Sequence, residues 1–231
     1  MYKNKTFLAV IPARGGSKGI PKKNIIQVND RPLIDYTITE VLKSKHIDRV
    51  IVSTDSQEIA DISKKCGADV PFTRPNRLAK DESKTIDVII DLLNKLSRQD
   101  ENYDYLIILQ PTQPLRKAFH IDEAIALMVD NKLQSLVSVN EVKENPVLMR
   151  TFNSGNELER VLKINSTLRR QEFPKYYKVN GAIYINKIDE NLNLKTSLND
   201  NKYAYIMDKK YDLDIDEPFD LEILKLKLKD Y

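Results

Sequence analysis

The chain of 231 residues has no tryptophan, a single cysteine and only two histidines. The lone Cys66 excludes an internal disulfide and fits a reducing compartment. His46 and His120 lie far apart at expected helix boundaries, which excludes a histidine-based triad and a histidine zinc site. Any metal must therefore be held by carboxylates, and any base must be Asp, Glu or Lys.

Long apolar runs and a strong charge imbalance are also missing. No apolar run approaches the length of a membrane span, and the polar start MYKNKT does not resemble a signal peptide. The net charge is only +3, which argues against a general nucleic-acid binder. We therefore expect a cytoplasmic protein without a membrane or nucleic-acid partner.

Glycine is scarce but clustered, because three of the six glycines lie at positions 15, 16 and 19. They follow the apolar run Phe7 to Ala13, and the residues interleaved with them are mostly cationic: Arg14, Ser17, Lys18, Lys22 and Lys23. Glycine allows close approach of the backbone to a ligand, and clustered cations suit a polyanion. The spacing fits neither a Walker loop nor a dinucleotide fingerprint. A basic solvated turn would also fit, but the loop after a buried strand favours a nucleotide triphosphate site of another type.

Strand and helix patterns alternate up to residue 140. The expected strands are 8–12, 49–54, 70–72, 105–110 and 135–139, and the segments between them carry apolar residues at helical spacing. This order predicts an α/β fold with a mainly parallel sheet and helices on both faces. Ligands bind such sheets at the carboxyl ends of strands, where Arg14, Asp55 and Gln110 fall.

The rhythm changes after residue 140, where a polar excursion is expected at about 143–178. Strands return at 182–185 and 203–207, and a final helix begins near Pro218. The chain carries no internal repeat or linker, so we predict one domain, 1–231, with an insertion.

Three further constellations could carry chemistry. Alternation in an extended DLDID segment puts Asp212, Asp214 and Asp216 on one side, where Mg²⁺ would relieve their repulsion, unless Asp216 instead caps the following helix. In the turn from Gln110 to Arg116, amides and hydroxyls could read a sugar or base edge and Arg116 could take an anion, or else Arg116 pairs locally in a polar turn. The third constellation consists of Arg169, Arg170 and Gln171, followed by Lys178, Asn180 and Tyr184 around Gly181. Its paired arginines suit a carboxylate, or else the group is a surface charge cluster.

Taken in order, these motifs resemble the CMP-sialic acid synthetases (acylneuraminate cytidylyltransferases) over nearly the entire chain. The matching segments are IPARGGSKGIPKKN, STD at 53–55, RPNRLA at 74–79, QPTQPLR, RRQEFPKYYKVNGAIYI and DLDID. The resemblance implies a three-layer, Rossmann-like nucleotide-diphospho-sugar transferase fold and a homodimer in which the excursion packs on the partner. It also implies Mg²⁺-dependent transfer of CMP from CTP to the anomeric hydroxyl of a nine-carbon 2-keto sugar acid, N-acetylneuraminate first among them, with release of pyrophosphate.

The resemblance assigns a role to each matching position. Residues for the triphosphate are Arg14, Ser17 and Lys23, and those for the cytidine are Asn24, Arg74 and Thr85. Residues for the sugar acid are Gln110, Arg170, Lys178, Asn180 and Tyr184. Metal ligands are Asp214 and Asp216, and the catalytic set is Arg14, Lys23 and Asp216, with Asp216 assisting deprotonation of the attacking hydroxyl.

Departures from the family pattern bear on the sugar. Lys178 stands where arginine is common and lacks its planar fork, Val179 replaces a proline, and Thr85 replaces a serine but keeps the hydroxyl. A legionaminate or another modified nonulosonate therefore stays open as substrate. The sequence also leaves open the eight-carbon octulosonate, a sugar phosphate used with another nucleotide, and a catalytically silent nucleotide-binding subunit. We expect direct in-line displacement without a nucleotidyl-enzyme intermediate.

Overall fold

The secondary structure alternates between strands and helices, as the apolar pattern predicts. A computed structural model describes residues 1–164, 167 and 169–229. The strands are β1 (Phe7–Pro12), β2 (Gln27–Val28), β3 (Arg31–Pro32), β4 (Arg49–Ser53), β5 (Tyr105–Ile108), β6 (Ser135–Glu141), β7 (Arg150–Phe152), β8 (Leu158–Arg160), β9 (Tyr177–Lys187) and β10 (Tyr203–Ile206). The helices are α1 (Leu33–Leu42), α2 (Gln57–Lys65), α3 (Thr85–Ser97), α4 (Ala118–Asp130) and α5 (Pro218–Lys227).

Six strands form the central sheet in the order β10-β6-β9-β5-β1-β4. The neighbouring pairs β1 and β4, β1 and β5, and β6 and β10 are parallel. Strand β9 runs antiparallel to both β5 and β6, so it is the inverted member of a mainly parallel sheet. The mainly parallel α/β fold is therefore confirmed, and the strand expected at 182–185 is the centre of a longer one.

Helices cover both faces of the sheet. Residues of β1 alternate between the two faces: Phe7, Ala9 and Ile11 pack toward α1, α2 and α4, whereas Leu8 and Val10 pack toward α3. Alternation along a fully buried strand supplies both layers at once. A third cluster joins α5 to α1 through Leu33, Leu221 and Leu224.

Two helix ends behave as their residues predict. At the start of α4, His120 Nδ1 accepts a hydrogen bond from the Lys117 backbone N–H at 3.0 Å, and burial lowers the pKa of this imidazole to about 4. Past the end of α2, Gly67 adopts φ +97°, the left-handed conformation that favours glycine. Burial also raises the pKa of the neighbouring Cys66 thiol to about 11, which fits a structural rather than a nucleophilic cysteine.

The predicted strand at 70–72 is wrong. Only isolated bridges form there, joining Ile51 to Asp69 and Thr54 to Thr73. Pro71 has no N–H to donate to a ladder, which explains why the segment follows β4 without becoming a strand.

Between β6 and β9 the chain leaves the sheet and forms the β7–β8 hairpin. We call residues 142–176 the excursion. Its apolar side chains Phe152, Leu158 and Val161 are more than half exposed.

Within the described ranges, no helix is long and apolar enough to cross a membrane.

Candidate active site

A polar cleft of about 460 Å³ opens at the carboxyl ends of β1 and β5, and we call it the charged cleft. It brings together segments from near both ends of the sequence. Nine residues with predicted site roles line it: Arg14, Ser17, Lys23, Asn24, Arg74, Thr85, Gln110, Asp214 and Asp216. The position agrees with the rule that α/β sheets bind ligands beyond the carboxyl ends of their strands.

The glycine-rich loop after β1 is held open by hydrogen bonds to its backbone. Asn24 Nδ2 donates to the Arg14 carbonyl at 2.9 Å, and the Gly15 N–H donates to Asp55 Oδ1 at 2.9 Å. Asn24 and Asp55 therefore shape the loop, and the Arg14 and Lys18 side chains extend from it.

Two cations of the loop form ion pairs with the same carboxylate. Asp81 pairs with Arg14 at 2.6 Å and with Lys18 at 2.8 Å, and these hydrogen bonds and charges lower the pKa of Asp81. Asp81 itself lies in the turn before α3 and is about half exposed. The positive charges of Arg14 and Lys18 are therefore paired with a carboxylate of the protein itself.

The acid segment at 212–216 packs directly against this loop. Leu213 and Ile215 point into the core, so Asp214 and Asp216 point into the cleft, as alternation predicts. Lys23 Nζ donates to the Ile215 carbonyl at 2.8 Å and pairs with Asp216 Oδ1 at 3.0 Å. Gly19 lies so close to the Asp216 carbonyl that a side chain there would overlap it.

The carboxyl groups of Asp214 and Asp216 form a set of oxygen donors. Burial by the cleft walls raises the pKa of Asp214, a hydrogen bond from Thr112 opposes this, and the charge of Asp216 adds to the rise, although Asp214 keeps an exposed face toward the cleft. A cation between them would relieve this repulsion. Among the described residues, no group of three or more His, Cys, Asp and Glu side chains could hold a metal.

The third acid of the segment lies apart from these two. Asp212 pairs with Lys178 at 3.0 Å and does not line the cleft. The expectation that three acids share one side therefore holds for two of them only, because the short helical turn Lys209–Tyr211 precedes Asp212 and directs it toward β9.

Arg74 forms part of the far wall and is almost buried. Its Nε donates to Ser53 Oγ at 3.2 Å, and its Nη2 donates to the Ser53 carbonyl at the end of β4. Burial lowers the pKa of this guanidinium to about 10, with Arg14 adding to the effect and Asp55 opposing it. This buried cation contributes a fixed positive charge to the cleft wall.

A second cavity of about 390 Å³ adjoins the charged cleft. Apart from Lys84 and Lys195 its lining residues are uncharged, and we call it the neutral cavity. Thr85 and Gln110 line both, so they stand at the junction. Tyr184 closes one side and donates to Asn199 Oδ1 at 3.1 Å. The rest of the wall comes from Lys84, Ile86, Ile108 and residues 194–199, and this last segment has no motif that would indicate a site in the sequence.

The remaining predicted sugar residues lie elsewhere. Asn180 is buried, accepts from Ser138 and the Ala182 N–H, and donates to Asn140, so this structure does not bring it to either cavity. Lys178 is half exposed and lines neither cavity. The side chain of Arg170 lies outside the described part of the chain.

Arg116 is fully buried, which excludes the surface anion contact that its position suggested. Its Nη1 donates to the Ala182 carbonyl and its Nη2 to Thr37 Oγ1, both at 2.8 Å. Arg116 therefore joins α1, β9 and the turn after β5 rather than facing a ligand.

Residues 8–230 match the cytidylyltransferase family. The chain belongs to this family. The cytidylyltransferase is 41% identical over 181 residues to the CMP-N,N'-diacetyllegionaminic acid synthase of Legionella pneumophila, which covers 78% of this chain and 77% of that protein. It is 35% identical over 179 residues to the pseudaminic acid cytidylyltransferase of Campylobacter jejuni, covering 77% and 76% of the two proteins.

An N-acylneuraminate cytidylyltransferase of Streptococcus agalactiae is 33% identical over 202 residues. The match covers 87% of this chain but 48% of the streptococcal protein, so the chain spans about half of that relative's length. Among solved structures, CMP:2-keto-3-deoxy-manno-octonic acid synthetase complexed with CTP has a TM-score of 0.73 at 18% identity, covering 97% of this chain and 99% of that one. That likeness confirms the fold.

Proposed function

We propose that this cytidylyltransferase transfers CMP from CTP to the anomeric 2-hydroxyl of a nonulosonic acid, forming a CMP-sugar and pyrophosphate. The observation that carries the proposal is the junction at Thr85 and Gln110, where the charged cleft meets the neutral cavity. A nucleotide triphosphate suits the first space and an uncharged, acylated part of a sugar suits the second. The names of three relatives, which refer to N,N'-diacetyllegionaminic acid, N-acylneuraminate and pseudaminic acid, support this substrate class.

CTP would lie along the loop after β1. Arg14, Ser17 and Lys23 would hold the phosphates, and Asn24, Arg74 and Thr85 would face the nucleoside. Arg14 and Lys18 would exchange the Asp81 carboxylate for phosphate oxygens, which keeps their charges paired. Pairing of this kind stabilises the charge that develops on the leaving pyrophosphate.

Asp214 and Asp216 would hold Mg²⁺ together with phosphate oxygens of CTP. The two carboxylates are neighbours, and the charge of Asp216 adds to the raised pKa of Asp214. Their oxygens are hard ligands of the kind that Mg²⁺ prefers. When bound, the ion would supply positive charge at the phosphoryl centre.

In the reaction the 2-hydroxyl oxygen would attack the α-phosphorus while the bond from that phosphorus to the bridging oxygen breaks. Pyrophosphate leaves, and the hydroxyl proton passes to a base. Asp216 is our choice for this base, since its carboxylate faces the cleft beside Lys23. Direct displacement predicts that CTP alone labels no residue of the protein; a trapped nucleotidyl-enzyme would contradict it.

N-acetylneuraminate is the acid that the sequence motifs favour, and N,N'-diacetyllegionaminate is the second candidate. Two observations favour the second: the 41% identity to a legionaminate enzyme, and Lys178 at a position where the sialic acid enzymes commonly have arginine. In the neutral cavity, the apolar side chains of Ile86, Leu194 and Leu198 would accept either acyl group.

We further propose that two copies of the chain associate through the excursion. Exposed apolar side chains there, Phe152, Leu158 and Val161, would be covered by the partner. A dimer by light scattering supports this, and a monomer at micromolar concentration contradicts it. A cytoplasmic location is part of the same proposal, since CTP and a reduced Cys66 belong to that compartment.

The decisive assay measures pyrophosphate release with CTP, Mg²⁺ and a panel of 2-keto sugar acids. We expect turnover with one or both nonulosonic acids and little with the eight-carbon octulosonate. Turnover with the octulosonate alone, or with a sugar phosphate and another nucleotide, would replace the proposal. Tight CTP binding without turnover on any acid would assign the chain to a silent nucleotide-binding subunit.

A further inference from the structure

Gln110 stands at the only stretch of wall shared by both cavities in the described ranges, together with Thr85. Its side-chain amide makes no hydrogen bond with any residue in the described part of the chain, so it is available to a ligand. Because no hydrogen bond fixes the amide, its orientation toward a ligand must be set by the atoms that pack against it.

That support is Gly181 in β9. A methyl group built on Gly181 would overlap Gln110 Oε1 and lie 3.3 Å from its Cδ. Gly181 therefore lets the backbone of β9 pack directly against the amide of Gln110. Any larger residue would push this amide out of its position.

Buried polar contacts hold Gly181 itself in place. The register of β6 and β9 shifts between Val137 and Val139, and Gly181 sits in the irregular stretch opposite with φ +75°. Asn180 Oδ1 accepts from the Ala182 N–H at 3.0 Å and from Ser138 Oγ at 2.5 Å, which braces the backbone on both sides of the glycine. The positive φ and the bracing make Gly181 a fixed surface rather than a flexible one.

Arg116 fastens the other side of the same junction. It donates to the Ala182 carbonyl at 2.8 Å and lies 3.4 Å from the Gln110 carbonyl, so one buried guanidinium contacts the backbones of both partners. The frame around Gln110 thus consists of Gly181, Arg116 and Asn180, none of which lines either cavity.

We infer that Gly181 is a positioning residue of the reaction, which orients the Gln110 amide toward the sugar acid by lacking a side chain. The inference rests on the proposed function. It assigns to Asn180 and Arg116 an indirect role, holding the backbone that carries Gly181 and Gln110, in place of a direct contact with substrate.

The test is a double-mutant cycle of G181A and Q110A, assayed for kcat and for KM of each substrate. With Gln110 present, we expect G181A to raise KM for the sugar acid about 10-fold, since a misplaced amide loses about one hydrogen bond to a charged group. KM for CTP should change less than about 2-fold. In the Q110A background the same substitution should change KM for the acid less than about 2-fold, because it then has no amide to displace.

Gly67 supplies the matched control. It also has positive φ (+97°), and a methyl group there would meet Leu42 Cδ1 at 3.0 Å, away from both cavities. We expect G67A to lower the melting temperature as G181A does, because alanine is strained at positive φ, and to leave both KM values unchanged.

Equal fold-changes for G181A in the two backgrounds, or no change in either, would overturn the inference. G181N is the second variant, since asparagine tolerates positive φ better than alanine. If neither variant folds, Gly181 belongs to the stability of β9 and the inference is overturned as well. Wild-type turnover is measured first: its absence refutes the proposed function, whereas its presence with an additive cycle refutes only the role of Gly181.

Discussion

The charged cleft and the neutral cavity share a wall but differ in how the chain builds them. The cleft draws its cations and carboxylates from two short segments, 14–24 and 212–216, whose composition already indicates a triphosphate and a metal. The cavity draws on Tyr184, the start of α3, the end of β5 and the segment 194–199, whose one charged residue is Lys195. The charged side chains of the cleft lie close together within short sequence segments. The wall of the neutral cavity, in contrast, forms only where segments that are distant in the sequence pack together.

This difference has a functional counterpart. The charged cleft would carry the reaction steps common to cytidylyltransferases, and the neutral cavity would select the acid. Substitutions in the first should therefore change kcat or KM for CTP, and substitutions in the second should change KM for the acid.

The largest effect is expected for D216N. Loss of the carboxylate removes a proposed metal ligand and base, so kcat should fall about 100-fold or more while CTP still binds. Initial rates and calorimetric CTP titration measure the two effects. D212N, in the same segment but outside the cleft and paired with Lys178, should lose less than about 3-fold in kcat. Near-normal activity of D216N would remove Asp216 from the mechanism.

The next largest effect is expected for R14A. Removing a charged hydrogen-bond donor from the triphosphate should raise KM for CTP about 10- to 100-fold and leave KM for the acid within about 2-fold. The control is K22A, because Lys22 pairs with Glu58 outside the cleft. Equal increases in both KM values would break the proposed division between the two spaces.

Residues that belong to a short sequence motif were predicted well, and D216N and R14A each change a residue of this kind. The apolar runs at Phe7 to Ala13 and Tyr105 to Gln110 indicated β1 and β5, and the glycines and cations after Phe7 to Ala13 indicated the loop that now lines the cleft. Alternation alone placed Leu213 and Ile215 inward and Asp214 outward. Each of these features follows from neighbouring residues.

Features that depend on distant contacts could not be read in the same way. The apolar run at 182–185 is compatible with either strand direction, so the antiparallel setting of β9 was not indicated. In the sequence, Asn180 resembles a ligand-binding amide. In the fold, its side chain forms hydrogen bonds with Ser138 and Asn140, both on β6. The segment 194–199 carries no charge pattern beyond Lys195, so only its packing against Tyr184 reveals it.

A moderate effect is expected in the neutral cavity. N199A removes the acceptor of the Tyr184 hydroxyl, which loosens the wall and should raise KM for the acid about 5- to 10-fold. KM for CTP should stay within about 2-fold. Y203F, at an exposed tyrosine of β10, serves as the control. A change confined to KM for CTP would show that the nucleotide, rather than the sugar, occupies this cavity.

The smallest effect is expected for D81N, and its sign is the informative part. Asp81 occupies Arg14 and Lys18, so its removal should lower KM for CTP about 2- to 5-fold, as suits an exposed ion pair. E58Q is the control, since Glu58 pairs with Lys22 outside the cleft. A raised KM would mean that Asp81 assists binding of CTP instead of competing with it.

Phosphorus NMR of a reaction mixture tests the proposed activity most directly. Purified protein is mixed with CTP, Mg²⁺ and either N-acetylneuraminate or N,N'-diacetyllegionaminate. We predict that the three CTP resonances are replaced by one phosphodiester signal of a CMP-sugar and one signal of pyrophosphate, in equal molar amounts. An unchanged CTP spectrum with both acids, or conversion of CTP without a phosphodiester product, would contradict the proposed transfer.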